Sequence, residues 1–265
     1  MLRPLLFRLK LLIIDKLFQQ KMLIVGNLKF YSHLREFRNQ SLSSSFKVNF
    51  PYDRNHKMLT DFYEQAGVAS GHYFHQDIYV AREIYRRNPV HHHDIGSRID
   101  GFISSLAVFR EVEVFDIREL ESSDPNIHFR KLDILNTAAV RDMEQVLSLS
   151  CLHTAEHFGL GRYGDPINFD GWFIGLKNMT SLVASGGIFY FSTPISSRQR
   201  IVFNAHRIFD PHFLTTHFLK DFEVLNTAAI RDTGEMDLSV DFQSAAFLGD
   251  FNDDYACGIW TLQKK

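Results

Sequence analysis

Val90-His91-His92-His93-Asp94-Ile95-Gly96-Ser97-Arg98-Ile99-Asp100-Gly101-Phe102 is the stretch on which the fold turns. It reads as a short buried strand, a glycine turn and the start of an amphipathic helix. After the turn the apolar positions Ile99, Phe102, Ile103, Leu106 and Phe109 share one helical face. A second strand, Val112-Glu113-Val114-Phe115, follows at once and ends on Asp116, twenty residues after Gly96. That is the layout of a nucleotide-binding strand–turn–helix–strand unit. The glycine lets backbone approach a ligand, the helix start offers free N–H groups, and the acid accepts hydrogen bonds from ribose hydroxyls. The second glycine of a dinucleotide fingerprint is replaced here by Arg98.

Outward from this unit, strands and helices alternate. Pro89 ends a helix over Ile78–Arg87 and delivers the chain into the first strand. A third strand is expected at Ile127–Phe129, then a helix over 138–146, and a fourth strand at Leu147–Cys151. A helix over 171–184 closes at Gly186-Gly187, a fifth strand at Ile188–Phe191 is stopped by Pro194, and Ile201–Phe203 is a short strand or hairpin arm. A helix starts at Pro211, and Phe222–Leu225 and Gly258–Leu262 supply the last two strands. Such alternation predicts right-handed crossovers and a mostly parallel sheet with helices on both faces. The long excursion between the last two strands fits an antiparallel edge hairpin. Residues 1–30 suggest a helix broken near Gly26-Asn27, and the Ser-rich residues 40–57 a linker. The expected division is a helical arm and linker over 1–60 and an α/β domain over 61–265.

Composition narrows the partners. A net charge of −2 gives no reason to expect nucleic acid. Residues 1–50 carry nine Lys/Arg against Asp15 and Glu36, and residues 210–255 ten Asp/Glu against Lys220 and Arg231. The basic arm is read first as a helix docked on the domain, and second as a peripheral contact with anionic lipid. No apolar run is long enough to span a membrane. Two cysteines, Cys151 and Cys257, form no disulfide framework, which points to reduced thiols in the cytoplasm.

In open α/β sheets ligands sit beyond the carboxyl ends of the strands. That rule gathers Asp94-Ile95-Gly96-Ser97, Asp116-Ile117-Arg118, Asp133 and Cys151-Leu152-His153 into one region. The fourth strand leads into His153-Thr154-Ala155-Glu156-His157-Phe158-Gly159-Leu160-Gly161-Arg162-Tyr163-Gly164-Asp165, which has three readings. His-x-x-Glu-His is the inverted zinc motif of metallopeptidases, but the glycines that follow leave little room for the long helix it needs. A capped structural turn is the second. The third, favoured here, is a substrate and cofactor loop in which Glu156 or His157 handles a proton. His91-His92-His93 is read as a strand start, since neighbouring side chains point to opposite faces, and no metal is expected. His206 and Arg207 could close over the same pocket, and Tyr73 or Gln76 could fold back over it from upstream.

The order of these motifs resembles class I S-adenosylmethionine-dependent methyltransferases. More narrowly, Gly71-His72-Tyr73-Phe74, Asp94 to Phe102, Glu156 to Asp165 and Phe203-Asn204-Ala205-His206-Arg207 resemble an uncharacterised, methyltransferase-like family of unknown function, over roughly residues 60–265. The resemblance implies a Rossmann-like three-layer α/β/α sandwich with a seven-stranded sheet, its last strand antiparallel. It implies S-adenosyl-L-methionine as cofactor, with Gly96 and Ser97 passing the methionine part and Asp116 holding the ribose. Asp133 and Leu152 would flank the adenine, and Asp94, Ile117 and His153 are further cofactor-binding candidates. Methyl transfer to a small polar acceptor, such as a sugar or nucleotide-sugar, would use Glu156, His157 or His206 as base and Arg162, Tyr163 and Arg207 as contacts to an anionic substrate. A non-catalytic binding or scaffold protein on the same fold is the alternative, favoured if Arg98 fills the cofactor pocket. A zinc hydrolase through His153, Glu156 and His157 is the minor one.

Overall fold

The computed structural model describes residues 2–45, 57–64 and 66–265, with side chains of the first helix from Lys16 onward. The chain forms two compact units, Met1–Val68 and Ala69–Lys265. In the first, α1 (Leu2–Ser41) is one uninterrupted helix, so the expected break at Gly26-Asn27 does not occur. Its glycine has a packing reason. A Cβ on Gly26 would stand 2.0 Å from the Leu59 carbonyl oxygen, so the backbone of the 57–60 segment lies directly on the helix there. Asn27 donates to the Leu23 carbonyl at 3.0 Å, and Lys57 reaches the Tyr31 hydroxyl at 2.8 Å. Most of the expected linker over 40–57 lies outside the described residues.

The second unit opens with α2 (His72–Arg87), six residues earlier than expected. Gln76, Asp77, Val80, Ala81 and Ile84 are its buried residues and repeat at helical spacing. Asn88 ends it in the left-handed region at φ 49°, just before Pro89. Ten strands follow: β1 (His92–Ile95), β2 (Val112–Asp116), β3 (Ile127–Lys131), β4 (Val146–Leu152), β5 (Val183–Ile195), β6 (Arg200–Val202), β7 (His206–Ile208), β8 (Phe222–Ile230), β9 (Met236–Leu238) and β10 (Ala256–Lys264). Between them lie α3 (Ser104–Ala107), α4 (Thr137–Arg141), α5 (Gly171–Leu182), α6 (Pro211–Phe218) and α7 (Ala245–Asp250). The main sheet has eight strands in the order β3-β2-β1-β4-β5-β10-β8-β9. Strands β1 to β5 pair in parallel, and β10 runs antiparallel to both β5 and β8.

This is a Rossmann-like α/β/α sheet, with an eighth strand beyond the expected seven. The additional one, β9, arises inside the 231–255 excursion and pairs with β8. Proline did not stop β5. Pro194 stays in the ladder opposite Cys257 of β10. Its carbonyl accepts from Phe209 N at 3.0 Å, on the side of the strand that faced β4 until β4 ended at Leu152. The proline has no N–H to donate on that side, beyond the last paired residue of β4, so no bond of the paired ladder is lost. The start of α6 is as expected, with Pro211 in the first turn and the Asp210 carboxylate accepting from Phe213 N at 3.0 Å. Two apolar layers cover the sheet. Val80, Ile84, Phe102, Leu106 and Ile259 fill one face, and Val140, Met179, Leu182, Leu214 and Trp260 the other. Each such side chain fully buried contributes about 1.5–3 kcal/mol. The two layers hold the C-terminal ends of β1 to β4 in one row.

Candidate functional site

The turn after β1 is built from below. Asp94 is fully buried, and its carboxylate accepts from Ser97 N at 2.9 Å, from Ser97 Oγ at 2.6 Å and from Ser150 Oγ. His92, also fully buried, places Nε2 2.9 Å from Ser150 Oγ and Nδ1 2.7 Å from Ser148 Oγ. Because the Ser150 hydroxyl donates to Asp94, its oxygen accepts from His92 Nε2–H, and Nδ1 then accepts from Ser148. Burial pushes His92 down to about 3, so the ring is neutral, and burial lifts Asp94 up to about 6. Ser97 Oγ also accepts from Leu152 N at 3.0 Å, tying the turn to the end of β4.

Asp94, Ser97 and Leu152, expected as cofactor contacts, thus stand beneath the turn rather than in the open. What reaches the surface is Gly96, at φ 66°, where a Cβ would strike Thr154 Cγ2 at 2.6 Å. Gly96 lines a cleft with Asp116 at the end of β2, Ile117 and Asp133 just beyond β2 and β3, His153 and His157 from beyond β4, and Tyr163. Phe115, Leu132, Ile134, Leu135 and Phe158 give it apolar walls. The glycine turn, the acid after β2 and the β4 loop therefore do converge. Arg98 is not in this cleft. It turns outward to chelate Asp100, at 3.1 and 2.9 Å, and lies 4.8 Å from the Tyr73 ring. Arg118 does the reverse: Nε and Nη2 hold both oxygens of Asp116, at 3.0 and 2.7 Å, while the guanidinium lies 4.6 Å from the Tyr163 ring.

Beyond β4, His153 takes a φ of 49°, an uncommon conformation for a residue with a side chain. Its Nδ1 sits 2.9 Å from Glu156 Oε1, and both side chains are almost wholly buried. Burial opposes charge on each, but Cys257 and Glu156 raise His153 well above its usual range, and His153 lowers Glu156. Glu156 therefore stands behind His153 and not in the cleft. His157 lines the cleft, held by its Nδ1–H donating to the Ala205 carbonyl at 2.6 Å. Burial outweighs the pull of Glu156, whose Oε1 lies 3.8 Å from His157 Nε2, and lowers His157, which favours the neutral ring. The inverted zinc motif does not assemble on a long helix. Ala155–His157 is one 3₁₀ turn, and His157 is engaged with Ala205.

Arg207, expected at substrate, is buried and bonds to the carbonyls of Phe158 at 2.6 Å and Phe169 at 3.0 Å, so it braces the loop from inside. Asp165 winds the same loop, accepting from the N–H groups of Gly159, Gly161 and Tyr163. Arg162 is exposed and donates to the Ala205 carbonyl at 3.0 Å. His206 lies against the Tyr255 ring at 5.0 Å, outside the cleft lining. Upstream, Gln76 is buried and ties β5 to α2, accepting from Ser192 Oγ at 2.6 Å and donating to Asp77 at 3.0 Å. Tyr73 and His72 pack on His153, at 5.2 and 5.4 Å between ring centres, and His72 also on Tyr255 at 5.3 Å. Burial and the nearby His153 bring His72 down to about 4. His72, Tyr255 and Cys257 were given no role in the sequence reading. They approach His153 only through the packing of α2 on the sheet and the pairing of β10 with β5, the neighbour of β4.

Residues 134–252 match the sequence model of an uncharacterised family, described as Caenorhabditis protein of unknown function, DUF268. The match takes in the Glu156–Asp165 and Phe203–Arg207 blocks and leaves those around Gly71 and Asp94 outside. No curated protein matches the chain. Among solved structures, the N-methyltransferase NodS of Bradyrhizobium japonicum WM9, in complex with S-adenosyl-L-homocysteine, is similar at 11% identity and a TM-score of 0.47, over 72% of this chain and 87% of its own. The 1,6-didemethyltoxoflavin-N1-methyltransferase of Burkholderia thailandensis is similar at 12% identity and 0.48, over 72% and 78%. An S-adenosylmethionine-dependent methyltransferase of Clostridium acetobutylicum is similar at 11% identity and 0.46, over 74% and 93%.

Proposed function

We propose that this chain binds S-adenosyl-L-methionine in the cleft beyond β1 to β4 and transfers its methyl group to a small polar acceptor. The observation that carries the reading is the convergence of Gly96, Asp116, Asp133 and His157 on one cleft while Arg98 faces away from it. The residues fit the cofactor. Gly96 leaves backbone open where any Cβ would close the floor against Thr154. Asp116 offers a carboxylate for ribose hydroxyls once Arg118 swings aside, and Leu132, Ile134 and Phe158 offer apolar walls for a purine. When bound, the cofactor supplies an electrophilic methyl group.

The chain's own work is alignment and proton removal. His157 is the base of this reading, because it lines the cleft, is neutral, and has its ring fixed through Ala205. Glu156 and His206 are assigned lesser parts, Glu156 holding His153 and His206 packing on Tyr255. Arg162 and Tyr163 at the rim suit an anionic acceptor such as a nucleotide-sugar, since a guanidinium pairs with phosphate through two donors. A reducing compartment is part of the same reading, supported by Cys151 and Cys257, both free thiols. No helix among the described residues is long and apolar enough to cross a membrane.

Calorimetry with S-adenosyl-L-homocysteine tests the reading. The wild type is expected to bind, and Asp116→Ala to bind about 10- to 100-fold more weakly, the worth of hydrogen bonds to a charged group. Absence of binding heat, or equal affinity in both proteins, overturns it.

A further inference from the structure

We propose that His72, His153 and Cys257 form a zinc site, with Glu156 as the carboxylate that orients His153. One ligand atom from each of the three residues lies within 4.8 Å of the other two. Tetrahedral zinc bonds of about 2.0–2.3 Å would draw them to about 3.3–3.6 Å apart, a contraction within reach of side-chain rotation. The three come from elements fixed independently of one another. His72 opens α2, which packs through Val80 and Ile84; His153 follows β4; and Cys257 sits in β10, laddered on both edges.

Two features separate this cluster from a chance meeting of polar groups. His153 Nε2 is buried and has no hydrogen-bond partner, a state that is costly unless something occupies the space before it. Its other nitrogen already faces Glu156 at 2.9 Å. A carboxylate on the far ring nitrogen is the usual support of a metal-bound histidine, since it fixes the tautomer and the ring direction. The thiol makes only long contacts, donating to Gln76 Oε1 at 3.8 Å and to the Gly258 carbonyl at 3.7 Å, and a bound ion would replace them.

The donor set selects the ion. Two imidazoles and a thiolate suit zinc and not magnesium or calcium, which prefer oxygen. His72 is only half-buried, which leaves an approach for the ion. Three protein ligands also leave a fourth tetrahedral position, the arrangement of catalytic rather than structural zinc. His153 borders the cleft, so a water, thiol or hydroxyl in that position would stand beside it with its proton made more acidic. Only this last role rests on the methyl-transfer reading. The metal site stands without it.

The full chain, stripped with a chelator and reloaded with Zn²⁺ or Co²⁺, is expected to retain one ion per chain after desalting, measured by elemental mass spectrometry. The cobalt form is expected to show tetrahedral visible bands and a thiolate-to-cobalt charge-transfer band. Cys257→Ser is expected to lose the latter, and His72→Ala, at a helix start, to lose stoichiometric binding while keeping the wild-type circular dichroism. Glu156→Gln is expected to weaken zinc binding about 10- to 100-fold in competition with a chromogenic chelator. His91→Ala, an exposed histidine, is expected to bind as the wild type. Substoichiometric metal in the reloaded wild type, a cobalt spectrum without the thiolate band, or a band that survives Cys257→Ser overturns the proposal. None of these readouts depends on S-adenosyl ligands, so the two readings fail separately.

Discussion

Two buried polar clusters flank the end of β4, and they are built on opposite principles. Beneath the β1 turn, His92, Asp94, Ser97, Ser148 and Ser150 form a closed circuit in which each side-chain polar atom has a partner. Beyond β4, His153 Nε2 and Glu156 Oε2 are buried with none. A satisfied network specifies one geometry, and an unsatisfied one stores free energy that a ligand can release. The first cluster therefore fixes the shape of the cleft, and the second is the one left open to a ligand.

The largest test of this contrast is thermodynamic. Asp94→Ala leaves Ser97 N, Ser97 Oγ and Ser150 Oγ without their acceptor in the interior, and is expected to lower unfolding free energy by about 3–5 kcal/mol in urea titrations. Replacing the other pair together, His153→Phe with Glu156→Met, removes both orphaned atoms and their mutual bond. In metal-stripped protein it is expected to change stability by no more than about 1 kcal/mol. Losses of equal size would dissolve the distinction.

The closed cluster should also announce itself in pH. Asp94 titrates at about 6 in the folded chain, lifted by burial against the hydrogen bonds from Ser150 and Ser97, and near 3.8 when unfolded. A carboxyl group raised in this way stabilises the fold most below its unfolded value, and that contribution is lost as pH rises through 6. Asp77, also lifted by burial to about 6, acts in the same sense, whereas His92, pushed down to about 3, acts against it as the pH falls below 6.5. Comparison with Asp94→Asn isolates one group from the others. The stability of the wild type relative to that variant is expected to fall by about 2–3 kcal/mol between pH 4 and pH 7.5. A flat difference would mean that Asp94 keeps its proton, or its charge, in both states.

How much of this could be read from the chain depended on distance along it. Gly96 and Asp116 are legible because a turn and the end of the next strand are local features with a fixed offset, and Pro211 marks a helix start for the same reason. Pro194 and Gly26 misled, because what decided them was a neighbour far away: the early end of β4 in one case, the Leu59 carbonyl in the other. Arg207 and Asp94 have the composition of ligand contacts but are turned inward by burial, which a sequence does not display. The His72–His153–Cys257 cluster joins the beginning, middle and end of the folded unit, and no spacing within the chain could signal it.

Asp116 falls between the two clusters, satisfied but by a partner at the surface. Arg98 and Arg118 make the same arrangement twice, each chelating a carboxylate two residues away and lying over a tyrosine ring. The first faces outward and blocks nothing. The second occupies the acid that the proposed ligand needs. About half of the Arg118 side chain is exposed, so its ion pair contributes no more than about 1 kcal/mol, and a ligand that displaces it forfeits that much affinity. Arg118→Ala is therefore expected to bind S-adenosyl-L-homocysteine about 2- to 5-fold more tightly, with stability within about 0.5 kcal/mol of the wild type. Arg98→Ala should leave the affinity unchanged. If Arg118→Ala instead weakens binding, the guanidinium is not a competitor of the ribose but a wall of its pocket, stacked on the ligand as it now stacks on Tyr163.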